Sequence, residues 1–580
     1  MRQALATALS VASALAVFQS HHALAQTEVA KLRLNDRIER ELSAGETHVF
    51  RIDLRDDQFL FATVGQPGID VVVRLLDPEG ERLQEIDGPG VGGTEYVTFF
   101  PQKSGEYRIE IVPFLDDAEP GTYAIAIEKL EPAAPTESGR VDQLFTPWDR
   151  DGSPGAAVAV MQDGAIIHER GYGLAQLEYS IPITPSTVFH VASVSKQFTA
   201  YAVAMLAQEG KLSLDDDIRV HLPDLPDFGA SITIRHLIHH TSGLRDQWVL
   251  LGMAGWRLDD VITRDQILRL VKRQRELNFT PGDENLYCNT GYTLLAEIVS
   301  AVTGQPFPEW AAEHIFRPLG MTSTHFHDDH QLVVPNRAYS YADQAEGGFR
   351  KSVLSYATVG ATSLFTTVED LAKWLRNLDE AQLGGPALAE LMHTRGVLNN
   401  GDTLSYAFGL GIGEYRGLRT VGHSGADAGF RSYVVRYPDE HFALVILSNL
   451  GSFDPSSMAR RVAEIYLSDK MTAEEPEEER PDTVAAPEPW APDQTQLAKY
   501  AGEYTSDELG TTYTIAVEDS LLVATHVRHD PITLTPRSED AFDGDTWFFR
   551  RVEFERNDAN QITGFRVSSG RVRNLLFVKH

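Results

Sequence analysis

Two proline-rich segments divide this 580-residue chain and limit the folds open to it. The first is Glu131–Pro135, and the second spans residues 471–492, where clustered glutamates and prolines cannot bury a core and should form an extended linker. The chain is too long for one hydrophobic core, so several domains are expected. We predict domains at residues 27–130, 141–470 and 493–580.

The outer two regions have the pattern of β-structure. In residues 27–130, runs such as Phe50–Leu54 and Tyr107–Ile111 alternate apolar and polar side chains, which predicts a β-sandwich. Residues 493–580 contain similar short runs, for example Tyr513–Val517, and predict a small β-barrel. The middle region mixes helical and strand patterns, so the predicted fold class is an α/β domain flanked by two β-domains.

The first 25 residues are typical of a signal peptide. Arg2 precedes the largely apolar stretch Ala4–Phe18, and Ala23-Leu24-Ala25 has the small-x-small pattern of a cleavage site. The mature chain is expected to begin at Gln26 and to be exported, either to the periplasm or to the medium. A retained membrane anchor is the alternative, but the stretch is shorter than the ~20 residues that span a bilayer.

Charge and cysteine content exclude some classes of protein. The chain has 51 Lys and Arg residues against 83 Asp and Glu residues, a net charge of −32, which argues against nucleic-acid binding. Cys288 is the single cysteine, so neither an intramolecular disulfide nor a thiol-ligated metal cluster can form.

The first candidate catalytic pattern is S-x-x-K, with Ser193 and Lys196. A stretch with few helix breakers follows and Gly210 offers a stop, so Ser193 should begin a helix with Lys196 on the same face. A desolvated lysine with a lowered pKa can take the proton of a serine hydroxyl. The pattern alone is weak, because a capping serine beside a solvated lysine also fits it.

The second pattern is Y-x-N, with Tyr287 and Asn289. A phenol beside a lysine can relay protons, and an amide can polarise a carbonyl or fix the lysine. A buried core tyrosine is the alternative. Between them, Cys288 is expected to be a small buried apolar side chain, with a thiol nucleophile as the alternative.

The third pattern is H-x-G in His423-Ser424-Gly425-Ala426. The strand-like runs 433–437 and 443–448 that follow predict a hairpin. Gly425 would let a substrate lie against a strand edge, where the N–H of Ala426 can point at an oxyanion. An ordinary turn before a strand is the alternative.

The three patterns occur in this order within one α/β region, and together they resemble the serine β-lactamase and penicillin-binding protein superfamily. The resemblance is closest to the class C enzymes and the related esterases and D-amino-peptidases, and it covers about residues 141–465. Further matching stretches are Phe189–Ser193, His240–Leu244, Leu319–Thr324 and Thr366–Leu371. The resemblance implies a catalytic domain with an antiparallel sheet and a helical region. It also implies a lipocalin-like barrel after this domain that shapes or covers the active-site cleft.

The resemblance also implies a role for each residue. Ser193 would be the acyl-forming nucleophile, and Lys196 and Tyr287 would share the proton transfers. Asn289 would contact the substrate. The N–H groups of Ser193 and Ala426 would form the oxyanion hole, with no metal or organic cofactor.

One departure from the family pattern affects the expected substrate. His423 stands where most serine β-lactamases have a lysine, and a largely neutral imidazole attracts a substrate carboxylate less than an ammonium does. We therefore expect an esterase or peptidase that acts on a small molecule or peptide, including D-amino-acid peptides and fragments of peptidoglycan. β-Lactamase or D,D-carboxypeptidase activity is the alternative.

Three rival hypotheses remain. His325–His330 fits H-x-H-x-D-H, a zinc motif of another hydrolase class. Gly422–Ala426 nearly matches the G-x-S-x-G nucleophile elbow, although Ala replaces its last Gly and a strand rather than a helix is predicted to follow. A binding protein that keeps the fold without the activity is the third.

Overall fold

The computed structural model describes residues 25–345, 347–472 and 490–580. The predicted signal peptide lies outside these residues except for Ala25, and so does most of the predicted linker at 471–492. The chain forms two compact units that divide after Ala133. The predicted fold class is confirmed: β-sheets form the first unit, and the second combines an α/β region with a closed barrel.

The first unit consists of two sheets that share one apolar core. Their orders are β1-β3-β8-β5-β6 and β2-β9-β4-β7. The strands are β1 Ala25–Lys31, β2 Arg37–Leu42, β3 Glu46–Leu54, β4 Gln58–Gly65, β5 Val71–Leu76, β6 Arg82–Ile86, β7 Thr94–Phe99, β8 Gly105–Pro113 and β9 Gly121–Pro132. Phe50, Ile52 and Leu54 are buried while Asp53 between them is exposed, as the alternating pattern predicts.

A six-stranded antiparallel sheet, ordered β11-β10-β24-β23-β22-β21, forms the centre of the α/β region. The strands of this region are β10 Ala156–Gln162, β11 Ala165–Tyr172, β12 Leu174–Gln176, β13 Ile181–Pro182, β14 Phe189–His190, β15 Ile262–Thr263, β16 His325–Phe326, β17 Ser340–Asp343, β18 Phe349–Ser352, β19 Tyr356–Ala357, β20 Leu364–Thr366, β21 Gly411–Tyr415, β22 Leu418–Asp427, β23 Phe430–Tyr437 and β24 Phe442–Ser448. The predicted hairpin is the antiparallel pair β23 and β24.

Helices pack beside this sheet, and α2 lies against α7. The α-helices are α1 Glu137–Leu144, α2 Ser195–Gln208, α3 Ile218–His221, α4 Ile234–Ile238, α5 Gln247–Met253, α6 Arg264–Arg273, α7 Asn289–Thr303, α8 Phe307–Ala311, α9 Val368–Glu380, α10 Gly385–Met392, α11 Pro455–Leu467 and α12 Gln494–Leu497. Short 3₁₀ turns span Ala192–Val194, Pro438–Glu440 and Ala498–Tyr500, and a π-helical turn spans Ala312–Phe316. In the described residues, the helices are all too short or too polar to cross a bilayer.

The C-terminal region is a closed eight-stranded barrel whose ladder runs from β25 through β32 and back to β25. Its strands are β25 Gly502–Ser506, β26 Thr511–Glu518, β27 Leu521–Thr525, β28 Ile532–Ser538, β29 Ala541–Thr546, β30 Phe549–Arg556, β31 Ile562–Ser569 and β32 Val572–Lys579. Buried aromatic rings such as Tyr513, Phe565 and Phe577 contact one another in its core.

The barrel docks on α5 of the α/β region. Tyr513 donates a hydrogen bond from its hydroxyl to the carbonyl of Met253 at 3.1 Å. Gly252 lies so close to Phe548 that a Cβ on it would be 2.9 Å from that side chain. Arg245, only 1% exposed, donates to the Glu508 carboxylate at 2.6 Å and to the Arg573 carbonyl at 3.0 Å. The two regions therefore share buried polar contacts as well as apolar packing.

Candidate active site

Ser193 and Lys196 lie side by side at the start of α2. Ser193 sits in the 3₁₀ turn that leads into the helix rather than in the helix itself, which begins at Ser195. Lys196 Nζ lies 3.0 Å from Ser193 Oγ. The predicted pair is therefore within hydrogen-bond distance.

The hydrogen-bond partners of Lys196 determine which of its atoms and electrons face Ser193. Its Nζ donates to Asn289 Oδ1 at 2.8 Å and to the Ala361 carbonyl at 2.8 Å. Both partners accept and neither oxygen carries a proton. A neutral amine has two N–H bonds, so these two acceptors use both and leave its lone pair for the proton of Ser193.

The protein matrix makes a substantial fraction of Lys196 uncharged near neutral pH. Its side chain is fully buried, and burial lowers the pKa of Lys196 to about 7. The negative charges of Asp427 and Asp246 oppose this shift, and the positive charge of Arg571 adds to it. An amine with a pKa near the ambient pH is well suited to act as a general base.

Tyr287 lies next to the same amine. Lys196 Nζ is 4.9 Å from the centroid of the Tyr287 ring. The Tyr287 hydroxyl is buried and makes no well-aligned hydrogen bond within the described residues. Burial raises the pKa of Tyr287, an effect that the nearby Ser193 hydroxyl partly offsets. The phenol therefore stays protonated and has a proton available for a reacting atom.

A buried carboxylate, which the sequence patterns did not identify, holds Asn289. Asp246 Oδ2 accepts from the backbone N–H of Asn289 at 2.8 Å and from its side-chain Nδ2 at 2.9 Å. This bonding directs Oδ1 of Asn289 toward Lys196. Asp246 also caps α5 by accepting from Trp248 N. The local signal for Asp246 was only that of an N-cap before an apolar helix.

His423 is neutral, and its bonds define one tautomer. Its Nδ1 lies 2.6 Å from the carbonyl of Ser424, so Nδ1 carries the proton and donates it. Its Nε2 then accepts from the Tyr406 hydroxyl at 3.0 Å. Burial, with a smaller contribution from Lys196, lowers the pKa of His423 to about 4. No fixed cation therefore stands at this position.

The strand carrying H-x-G has a free edge beside Ser193. Among the described residues, β21 pairs only with the first half of β22, up to Gly422, so the segment from His423 to Asp427 pairs with β23 alone. A Cβ on Gly425 would lie 2.3 Å from the carbonyl of Val191, so only glycine allows this approach. The approach brings the backbone of Ala426 to the turn that carries Ser193.

These residues surround a cleft of about 400 Å³. Its lining residues are Ser193, Trp248, Leu258, Tyr287, Asn289, Tyr356, Thr362, His423, Ser424, Gly425, Ala426, Asp427, Trp547 and Arg571. All the predicted site residues are thus at the cleft, with Lys196 buried behind Ser193. Trp547 and Arg571 belong to the barrel, and no sequence pattern singled them out.

The geometry gives the rival sites no support. Within the described part of the chain, no group of three or more His, Cys, Asp or Glu side chains is placed to hold a metal ion, and His325 and His327 instead pack on Phe365. Burial raises the pKa of Cys288 to about 12, so its thiol stays protonated. After Ser424 the chain continues into β23, without the helix that a nucleophile elbow requires.

The chain is similar to known proteins in fold and in sequence. A structure titled as an octameric penicillin-binding protein homologue from Pyrococcus abyssi has a similar fold, with a TM-score of 0.52 and 23% identity over 77% of this chain and 100% of that one. D-aminopeptidases of Gluconobacter oxydans and Brucella canis are 30% and 28% identical over 296 residues. These alignments cover 51% of this chain and 56% of each relative, so the chain spans little more than half the length of these curated relatives.

The model of the Beta-lactamase family matches residues 141–467, which is more than half of the chain and contains all three catalytic patterns. The chain belongs to the Beta-lactamase family.

Proposed function

We propose that this protein is a serine hydrolase that forms an acyl-enzyme on Ser193. The hydroxyl oxygen of Ser193 attacks the substrate carbonyl while its proton passes to Lys196 Nζ. The carbonyl oxygen becomes an oxyanion, which the N–H groups of Ser193 and Ala426 stabilise. The observation that carries the proposal is the bonding of Lys196, whose two acceptor partners leave its lone pair for Ser193.

The later steps use the same groups. As the tetrahedral intermediate collapses, the leaving amine or alcohol takes a proton from the Lys196 and Tyr287 pair. Water then attacks the Ser193 ester and gives a proton to the same pair. As the second tetrahedral intermediate collapses, the pair returns this proton to Ser193 Oγ, and the acid product leaves. The phenol of Tyr287 is a suitable relay because burial keeps it protonated.

Peptides and amides with a D-amino acid are the proposed substrates, with esters as a further class. The support is the similarity to proteins named D-aminopeptidase and the neutral His423, which disfavours the carboxylate-binding mode expected for β-lactams. Comparing turnover of D- and L-alanine p-nitroanilides tests this substrate class. A preference for the L-form would contradict it.

Labelling with a fluorophosphonate probe tests the nucleophile. We expect the wild type and Ser424→Ala to be labelled and Ser193→Ala to remain unlabelled, because loss of the attacking oxygen removes the covalent step. Ser424 is a matched control since it lies in the same cleft. Label lost only in Ser424→Ala would contradict the proposal, as would turnover that a chelator abolishes. A wild type with neither label nor turnover would indicate a binding protein.

We also propose export, with cleavage before Gln26. The support is the sequence pattern in residues 1–25. N-terminal sequencing of the protein from periplasm and medium tests it. An intact Met1 on the cell-associated protein would contradict it.

A further inference from the structure

Arg571 reaches the active-site cleft from a hairpin turn of the barrel. Ser569 on β31 pairs with Val572 on β32, so Gly570 and Arg571 form a two-residue turn between them. Gly570 has φ of 51°, the positive value that such turns need at their first position. A second two-residue turn, Trp547-Phe548, is bonded to this one, because Ser569 Oγ donates to the Trp547 carbonyl at 2.6 Å.

Most N–H donors of the Arg571 guanidinium are available for a ligand. It lies 5.4 Å from the centroid of the Tyr287 ring, and its side chain is 37% exposed. In the described residues its one ion pair is a 3.4 Å contact from Nη1 to Asp246 Oδ2. That oxygen already accepts two shorter hydrogen bonds from Asn289. A guanidinium carries five N–H donors in a planar fork, so most of them are available to a ligand.

The other charged groups at the cleft do not offer an exposed positive charge to a ligand. Lys196 is buried and donates its N–H bonds to protein acceptors, and His423 is neutral. Asp427 is occupied by hydrogen bonds with His190 and Thr362. Among the residues that line the cleft, Arg571 therefore supplies the exposed positive charge.

We propose that Arg571 determines specificity by binding a carboxylate of the substrate through its guanidinium. This inference rests on the proposed function, since it concerns what the same cleft selects. A carboxylate matches the guanidinium fork with two parallel hydrogen bonds, and charge-assisted bonds of this kind are roughly twice as strong as neutral ones. The expected substrates are peptides with a free C-terminal carboxylate or an acidic side chain.

A purely structural role for Arg571 predicts a different result. Through Asp246 the side chain also supports Asn289, so its removal could slow reaction with every substrate. Recognition of a carboxylate changes the ratio between charged and neutral substrates, whereas support of Asn289 changes both rates alike. The ratio is therefore the quantity to measure.

The test uses two matched pairs of phosphonate probes and measures their rates of reaction with Ser193. In one pair the alkyl chain ends in a carboxylate or in its methyl ester, and in the other the leaving phenol carries a carboxylate or a carboxamide. We expect the wild type to prefer the carboxylate in at least one pair, and Arg571→Gln to reduce that preference about tenfold or more. Arg571→Lys should keep part of it.

Arg573→Gln is the control. Arg573 lies two residues away in the same barrel with a similar exposure of 38%, but it pairs with Glu284 and does not line the cleft. The proposal is overturned if Arg571→Gln leaves the preference unchanged in both pairs, or if Arg573→Gln reduces it equally. A wild type that no probe labels at Ser193 would instead refute the proposed function.

The pair that responds identifies the position of the carboxylate. A change in the alkyl pair places it on the acyl side of the scissile bond, and a change in the phenol pair places it on the leaving group. Turnover of dipeptides with a free C-terminus and with a C-terminal amide then checks the leaving-group side on peptide substrates.

Discussion

The two walls of the cleft are built in opposite ways. One wall belongs to the α/β region, where Lys196 and Asn289 are buried and hydrogen-bonded to other protein groups. The other belongs to the barrel, where Trp547 and Arg571 project from two-residue turns and are 43% and 37% exposed. A change among the bonded groups of the buried wall would leave buried polar atoms unpaired, whereas the exposed wall can change without this cost.

This difference suggests that one wall serves the reaction and the other selects the substrate. The buried wall holds the groups proposed to move protons, since a base with a lowered pKa requires burial. The exposed wall holds groups that a substrate can reach. Substitutions in the first should affect all substrates alike, and substitutions in the second should affect substrates differently.

The largest effect is expected for Lys196→Met. Methionine fills the space of the lysine stem but cannot accept the Ser193 proton, so the labelling rate should fall about 10²–10⁴-fold for charged and neutral probes alike. Lys211→Met is the control, because Lys211 lies on the surface and pairs with Glu209. A loss confined to one probe would break the proposed division between the walls.

The docking of the barrel should depend on one buried ion pair. Glu508→Gln leaves the buried Arg245 guanidinium with only its longer 3.5 Å contact to the half-exposed carboxylate of Glu276, and we expect a loss of about 3 kcal/mol in the free energy of unfolding. Glu284→Gln is the matched variant, since its pair with Arg573 joins the same two regions but is exposed, and it should cost less than about 1 kcal/mol. Urea unfolding measures both. Equal losses of unfolding free energy in the two variants would contradict the stronger contribution expected of the buried ion pair.

The pH dependence should report the buried base. The reactive form of Lys196 is the neutral amine, and its pKa is lowered to about 7, so the labelling rate should rise with pH and level off above about 7. Below that pH the rate should fall about tenfold per unit as the amine is protonated. His423 stays neutral down to its pKa of about 4 and adds no inflection near neutrality. An inflection near the ordinary lysine value would contradict this account.

The smallest effect is expected for Trp547→Ala. The partly exposed indole lines the cleft, as do the apolar side chains of Trp248 and Leu258, so its removal should slow labelling by bulky apolar probes several-fold and leave small probes unaffected. Val578→Ala, an exposed apolar change in the same barrel that does not border the cleft, should alter neither. An equal decrease with both kinds of probe would instead indicate that Trp547 acts on the reaction itself, as the buried wall does.

The sequence was most informative where function depends on neighbours along the chain. Ser193 and Lys196 lie one helical turn apart, so their spacing alone predicts proximity, and the structure places them 3.0 Å apart. Tyr287 and Asn289 flank the start of α7 and could be linked to them only because three patterns matched one family in order. The alternating runs predicted the outer β-regions for an equally local reason.

The residues missed by sequence analysis depend on contacts between distant segments. Asp246 has the local signal of a helix cap, and its bonds to Asn289 join residues 43 positions apart. Arg571 has the signal of a glycine-containing hairpin turn and nothing that points to catalysis. Its place in the cleft follows from the docking of the barrel on α5, which no periodicity encodes.

The closed ladder of the barrel has a consequence for how the specificity of this protein can diversify. Because every barrel strand is paired on both sides, the turns that connect the strands contribute little to the stability of the barrel. New loops could therefore be grafted at the Trp547 and Arg571 tips to change the accepted ligand, while the reaction centre beneath them is inherited intact.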